Sequence, residues 1–461
     1  MLSDSNVQHS LACPKIKSTI FNGGAYKKLW PAMILASSRG VAVLGQFLAQ
    51  LVVGLLAGAS GLGVLQLFTS WTCVAGEVSA LGFPTRIMRQ VSIAYADKNI
   101  ELIKEKITVS CKKILLFCLM VFLIILIIIA VIFFVTGIWE KYFWLLIAVG
   151  LVAPFFALLR LYSESLKATG VTLLAITIEN LVSPLMILFV SGVCWIFGLT
   201  LFALILVIAF SISVIVSFFL VKTAMKKQLQ KASQLPHMSI DHASPSISYK
   251  NTSSWDTRAD LYSLWGASVL SIAFLQLPFL VMPLYVETAD IGVFSVAYKL
   301  MNIITTLLIL LAAVFGPKFA RCAASSDRTG MKNLLNQSQL ISMVVFLPLA
   351  VLLILFSEPL MYLFGEEFGE LKLYLIIIAV GQLINAATGL SGVLLNMSGA
   401  ASRELATLIV AVVVALLGSI WVGSDYGVIG MAWVFSASIA LKNIISYVMA
   451  RHLLHKMGEY S

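Results

Sequence analysis

Residues 58–90 read GASGLGVLQLFTSWTCVAGEVSALGFPTRIMRQ. The stretch opens on a glycine turn at Gly61 and Gly63, runs through an apolar span, and closes on Pro84, Arg86 and Arg89. A comparable stretch, Thr288 to Cys322, recurs in the second half with Gly292, an apolar span, then Pro317, Lys318 and Arg321. A turn, one crossing and a cationic stop describe a membrane-spanning helix held at its cytoplasmic end.

The rest of the chain agrees with that reading. Of 461 residues, 60% are hydrophobic and 11% charged, well beyond the apolar share of a soluble domain. Ile114–Trp139, Thr200–Val221 and Leu405–Ser424 carry no charge. Each reaches the roughly 20 residues that a helix needs to cross about 30 Å of hydrocarbon. Barrel strands would be shorter and would alternate in polarity. The expected fold is therefore all-α, with twelve spans at about 32–57, 62–83, 114–138, 142–162, 171–193, 198–221, 261–284, 291–316, 338–356, 371–395, 403–423 and 427–450.

Charge orients these spans. With a cytoplasmic N-terminus, 26 of the 31 Lys and Arg fall in cytoplasmic segments. Arg39, Lys299 and Lys442 lie within spans, and Lys141 and Lys372 lie outside. Both termini are thus expected in the cytoplasm. The net charge of +10 reads as a topology signal with affinity for an anionic leaflet, and not as nucleic-acid binding. Outer loops are short and acidic, with Glu287, Asp290, Glu358, Glu366, Glu367 and Glu370.

Segmentation follows. Residues 1–30 form a polar cytoplasmic segment without the apolar core of a cleaved signal peptide. Residues 31–221 form a first lobe of six spans, 222–259 a Ser-rich cytoplasmic linker with Pro236 and Pro245, 260–451 a second lobe, and 452–461 a tail. Residues 97–113 set Ile100, Ile103, Ile107 and Ile114 at helical spacing beside Lys and Glu, as an amphipathic surface helix would. An offset of 229 residues relates Gly63 to Gly292, Gly170 to Gly399 and Gly198 to Gly427. Two halves of six spans have one orientation, which predicts a pseudo-two-fold along the membrane normal, with a central cavity between the lobes.

Intramembrane charges are the candidate functional residues. Arg39, Glu77, Lys299 and Lys442 would each cost about 2.5–3.5 kcal/mol at the bilayer centre, so they are expected to face a wet interior. Under the offset their counterparts are Ser268, Thr306, Ser70 and Ser213, so none is duplicated. Snorkelling to the cytoplasm is the bland alternative for the cations, and ion pairing for Glu77. Glu179, Asn180, Asn302, Gln382, Asn385, Asn396 and Asn443 could hydrogen-bond sugar hydroxyls or neighbouring helices, and helix-to-helix bonding is the commoner use of each. Pro154, Pro184, Pro278, Pro283 and Pro348 are candidate bends.

No phosphate-binding GxxxxGK[ST] loop, HExxH or CxxC pair is present, so no nucleotide, metal or other cofactor is expected. His237 and His242, five apart, are poorly spaced for a metal on one helix face. The six Cys are scattered, without a disulfide pattern. The chain does not read as an enzyme.

The stretches GASGLGVLQLFTSWTCVAGEVSALGFPTRIMRQVSIAYADKN and ADIGVFSVAYKLMNIITTLLILLAAVFGPKFARCAA, with SLKATG and LNMSGA before the fifth and eleventh spans, resemble the Wzx-type O-antigen flippases. Those belong to the multidrug, oligosaccharidyl-lipid and polysaccharide exporter superfamily. The resemblance implies two six-helix lobes around a cationic cavity in a bacterial inner membrane. It implies alternating-access, ion-coupled movement of undecaprenyl-pyrophosphate-linked oligosaccharide to the periplasmic leaflet, with a polysaccharide polymerase and a chain-length regulator as partners. On that reading Arg39, Lys299 and Lys442 attract the pyrophosphate or acidic sugars, Asn302 and Asn385 contact the glycan, and Glu77 balances charge or couples an ion. The rival is a drug or metabolite antiporter of the same superfamily that uses Glu77 or Asp260. A membrane-embedded glycosyltransferase or polymerase is disfavoured by the short outer loops.

Overall fold

The computed structural model describes residues 24–136, 142–198, 202–234, 258–325 and 327–459. Thirteen α-helices run through them: α1 Gly24–Ala80, α2 Phe83–Ala96, α3 Ile100–Thr136, α4 Phe143–Ala168, α5 Thr172–Phe197, α6 Phe202–Gln234, α7 Arg258–Val281, α8 Thr288–Ala324, α9 Arg328–Leu355, α10 Ser357–Phe364, α11 Leu371–Thr388, α12 Ser391–Met397 and α13 Ala401–Glu459. Helices answer the one demand hydrocarbon makes of a backbone, that every amide find its partner within the segment. Among the described residues nine helices are long and apolar enough to cross a membrane. Two of these apolar stretches are 41 and 57 residues long, far beyond one crossing. Each bends at a glycine, Gly58 (φ 67°) in α1 and Gly427 (φ 51°) in α13.

Packing divides the chain into two units, one of them residues 37–280 and the other built on residues 281–461. In the first, α4 packs against α2, α3, α5 and α6, and α5 against α6. Its core joins Phe83, Ile87, Val91 and Ala94 of α2 to Ile103, Ile107 and Ile114 of α3 and to Leu161 and Leu166 of α4. The isoleucine stripe of residues 97–113 is therefore the buried face of the opening turns of α3, and not a separate surface helix. Asn99 starts that helix by accepting the Leu102 N–H through Oδ1 at 3.0 Å. Helix α7 also belongs to this unit, so the contact boundary lies after α7, where the chain-order halves would put it before. The reason is chemical: Trp71 Nε1 donates to the Phe279 carbonyl at 3.0 Å, Trp265 Nε1 to that of Val78 at 2.9 Å, and Ser70 Oγ to Gln276 Oε1 at 2.8 Å.

In the second unit α11 is central, packed on α8, α9 and α13. Phe315, Phe319, Met331, Leu335, Leu394 and Leu454 form its buried cluster at the α8–α9–α12–α13 end. The expected tenth span, 371–395, is interrupted: α11 stops at Thr388, Gly389 takes φ 60°, and α12 restarts at Ser391. The amides freed there find new partners in α9. Leu390 N–H donates to Ser338 Oγ at 3.3 Å, and Gln339 Nε2 donates to the Ala387 carbonyl at 3.0 Å.

The repeat is visible in backbone angles. Gly170 (φ 88°) and Gly399 (φ 79°) both turn the chain into the fifth-type helix, and Gly198 (φ 61°) and Gly427 (φ 51°) into the sixth. The opening stretch is corrected in two places. Its turn sits at Gly58 while Gly61 and Gly63 are helical, and the span ends at Leu81 and Gly82 (φ 52° and 70°), after which α2 begins with Pro84 in its first turn. The second copy has Leu311 where the first has Gly82, and α8 continues unbroken through Pro317. The segment 222–259 begins helical, since α6 runs on to Gln234; residues 235–257, with His237 and His242, lie outside the described residues.

Candidate functional site

Helix α4 presents Arg160, Ser163, Glu164 and Lys167 along one face at spacings of three and four. The tight connection through Thr169, Gly170 and Val171 folds α5 back beside it, which sets Glu179, nine residues past Gly170, against Arg160, ten residues before it. Glu179 Oε1 accepts Arg160 Nη1 at 2.9 Å, and its Oε2 accepts both Lys167 Nζ and Ser163 Oγ at 2.9 Å. Glu164 Oε1 accepts Lys167 Nζ at 2.9 Å and lies 3.7 Å from Arg160 Nη1.

Glu77 enters this cluster from α1. Its Oε2 is 3.6 Å from Arg160 Nε, and the side chain is 5% exposed. Gly76 explains the approach: a Cβ there would lie 2.5 Å from Phe156 Cδ1, so only glycine lets α1 come this close to α4 one turn from Arg160. The cluster thus holds three carboxylates and two cations within the first unit.

A smaller cluster occupies the second unit. Lys442 Nζ is 2.6 Å from Glu404 Oε1, Ser446 Oγ donates to Glu404 Oε2 at 2.7 Å, and Thr407 Oγ1 is 3.1 Å from Ser446 Oγ. Gly392 is pressed on the same carboxylate, since a Cβ there would lie 2.5 Å from Glu404 Oε1. Under the repeat offset Gly392 corresponds to Ser163, which bonds Glu179. Each half therefore sets a carboxylate of its fifth-type helix against one position of its fourth. The neutralising cations differ: two from α4 in the first half, one from the far part of α13 in the second.

The remaining candidates are placed as follows. Lys299 is half-buried on α8, and Asn302 follows one turn later, hydrogen-bonded to the Tyr298 hydroxyl. Thr306, the counterpart of Glu77, bonds back to the Asn302 carbonyl at 2.8 Å. Asn385 donates to Gln382 Oε1 within α11 at 3.0 Å, and Asn180 and Asn443 bond carbonyls of their own helices. Arg39 lies in α1, but its side chain, like that of Asp260, is outside the described residues. In the first turn of α8, burial and then the charges of Glu287 and Glu370 hold the Asp290 carboxyl above its ordinary range.

Sequence reasoning missed Arg160, Glu164, Lys167, Glu179 as a charge partner, and Glu404. Arg160 was counted with the cytoplasmic cations because it stands near the end of its span. The available signal was the run Arg160, Glu164, Lys167 at i, i+4 and i+7, whose charges share the face that must meet the next helix. Among the described residues no group of three His, Cys, Asp or Glu is arranged to hold a metal ion.

A family profile described as MatE matches residues 266–421. Among curated proteins none matches the chain. Solved structures do. An inward-facing multidrug resistance transporter of the MATE family in the MOP superfamily has a TM-score of 0.69 at 14% identity, over 93% of this chain and 99% of the other. The lipid II flippase MurJ, in an inward closed conformation, has a TM-score of 0.68 at 14% identity, over 91% and 87%. A MOP superfamily transporter from Pyrococcus furiosus, with a binding pocket of reversed polarity, has a TM-score of 0.58 at 15% identity, over 93% and 94%. These solved structures are of transporters and a flippase, and the chain is a multi-pass helical membrane protein that shares their fold.

Proposed function

We propose that the chain is a flippase that moves undecaprenyl-pyrophosphate-linked oligosaccharide from the cytoplasmic to the periplasmic leaflet of a bacterial inner membrane by alternating access. The observation that carries this reading is Lys299, kept half-buried on α8 within a largely apolar run of sequence, at an insertion cost of about 2.5–3.5 kcal/mol. A retained cation of that cost suits an anionic cargo. A sugar head group bearing a pyrophosphate cannot cross hydrocarbon unaided, and Lys or Arg in a water-filled path offsets its desolvation. The likeness to a lipid II flippase supports the same class of cargo. Arg39 joins Lys299 in this role, and Asn302, one turn along α8, contacts the glycan together with Asn385. Lys442 already faces Glu404, so it binds cargo only if that pair opens.

The test is Arg39→Ala with Lys299→Ala in cells whose surface polysaccharide depends on this chain. Export is expected to fall to background while the protein level holds. Normal export at normal level would overturn the assignment.

Two observations favour a second reading, a cation-coupled drug or metabolite antiporter: the cluster of the first unit holds three carboxylates against two cations, and a MatE profile matches residues 266–421. Efflux of cationic dyes from cells overproducing the chain, with no change in surface glycan, would select it.

A further inference from the structure

The cluster of α1, α4 and α5 is unevenly paired. Glu179 uses both oxygens in short bonds to Arg160, Lys167 and Ser163, and Glu164 has a short bond to Lys167. Glu77 is left with a single 3.6 Å approach to Arg160 Nε, and its Oε2, buried and aimed at that guanidinium, accepts no hydrogen bond. A carboxylate so placed has lost its water without gaining a full set of donors. The charged groups that face it are Arg160 and Glu164 from α4 and Glu179 from α5, with Lys167 closing the cluster behind them.

We propose that Glu77 is the exchangeable proton site of the first unit and that Arg160 answers its protonation by turning from Glu77 to Glu164 and Glu179. The step is balanced. A hydronium ion gives its proton to Glu77 Oε2 and leaves as water, the carboxylate becomes a neutral acid, and three negative against two positive charges becomes two against two. Arg160, its Nε released from Glu77, is then free to shorten the 3.7 Å approach of its Nη1 to Glu164. A metal cation is a poor ligand here, because it would need several free oxygens beside a guanidinium and an ammonium already seated on them. A proton rides on the carboxylate itself and needs no such shell. This deepens the transport reading above by naming the coupling ion. It also chooses between the two roles open for Glu77 in the sequence, ion coupling and static charge balance.

The test needs no cargo. Infrared difference spectra of the purified full-length protein, recorded while pH is stepped from 5 to 8 in choline and in sodium buffers, read the C=O stretch of a protonated carboxyl shielded from water. A titrating band is expected in the wild type, absent in Glu77→Gln and retained in the second-unit control Glu404→Gln. Its midpoint should rise by about one pH unit or more, a tenfold gain in proton affinity, in Arg160→Gln, and by less in Arg160→Lys. A wild type with no such band overturns the proposal, as does a band that survives in Glu77→Gln or a midpoint set by sodium. Should Glu77→Gln fail to accumulate, the wild type and the two Arg160 variants decide. The spectra do not depend on export, so this assignment and the flippase reading can each fail alone.

Discussion

Lys442 and Glu404 show what a paired intramembrane charge is worth. The two side chains are 22% and 14% exposed, and Ser446 supplies a further donor to the carboxylate. Removing one partner leaves the other charge without its counter-ion, whereas replacing both with apolar groups of similar size removes the problem. Lys442→Met alone should destabilise the detergent-solubilised protein by about 2–3 kcal/mol. Lys442→Met with Glu404→Leu should recover most of that loss, as read by thermal unfolding in a double-mutant cycle. Asp290 responds to pH at the other end of the second unit. Its carboxyl is held above the ordinary range, so the folded state gains from its protonation. That stabilisation is full below the ordinary carboxylate value and is lost as pH rises through the raised one. Asp290→Asn should therefore show a smaller fall in thermal midpoint from acidic to neutral pH than the wild type. Of these residues the sequence exposed Lys442, because a cation in an apolar run is conspicuous. Glu404 and Arg160 escaped, since each stands near the end of its run, where composition cannot tell a snorkelling charge from one turned inward.

At the scale of elements, hydropathy located the apolar helices but not their interruptions. Gly58, Gly82 and Gly389 break or bend helices, while Gly61 and Gly63, equally glycine in sequence, are helical. What separates them is tertiary. Gly389 lies where a Cβ would fall 2.7 Å from Gln339 Cγ and 2.9 Å from Ser338 Oγ, side chains that supply the hydrogen bonds the interrupted helix lacks. A single glycine in an apolar run carries no trace of those partners. Gly389→Ala meets both a left-handed φ and that close approach, and should cost about 1–3 kcal/mol. Gly399→Ala, with a similar φ and open space around it, should cost less. Unfolding midpoints of the two variants, measured side by side, separate the steric part from the backbone part. The isoleucine stripe of α3 teaches the converse lesson: its amphipathic period was legible, but a membrane surface and a neighbouring helix present the same apolar demand.

For the whole molecule, the duplication was legible in three glycine pairs, and the backbone angles show two of them as matching turns. The offset also locates where the copies parted. Position 160 carries Arg160 on the unbroken α4, and its counterpart, 389, carries the glycine that breaks the tenth span. One copy keeps its fourth helix unbroken with Arg160 at this position, and the other interrupts it there with a glycine. Single-sequence patterning could show that two halves exist, yet not which helices pack together, because α7 joins the first unit through indole and serine bonds that hydropathy does not register.

The interruption in the tenth span has a mechanical consequence. Leu390 N–H is carried by Ser338, a side chain of α9, so the backbone ladder of one helix passes through its neighbour. Sliding α9 along its axis would unhook that amide, and bending the joint at Gly389 would do the same. The serine then acts as a clutch: while it is engaged, translation of α9 and flexing of the tenth span are a single motion, and once it lets go they become two.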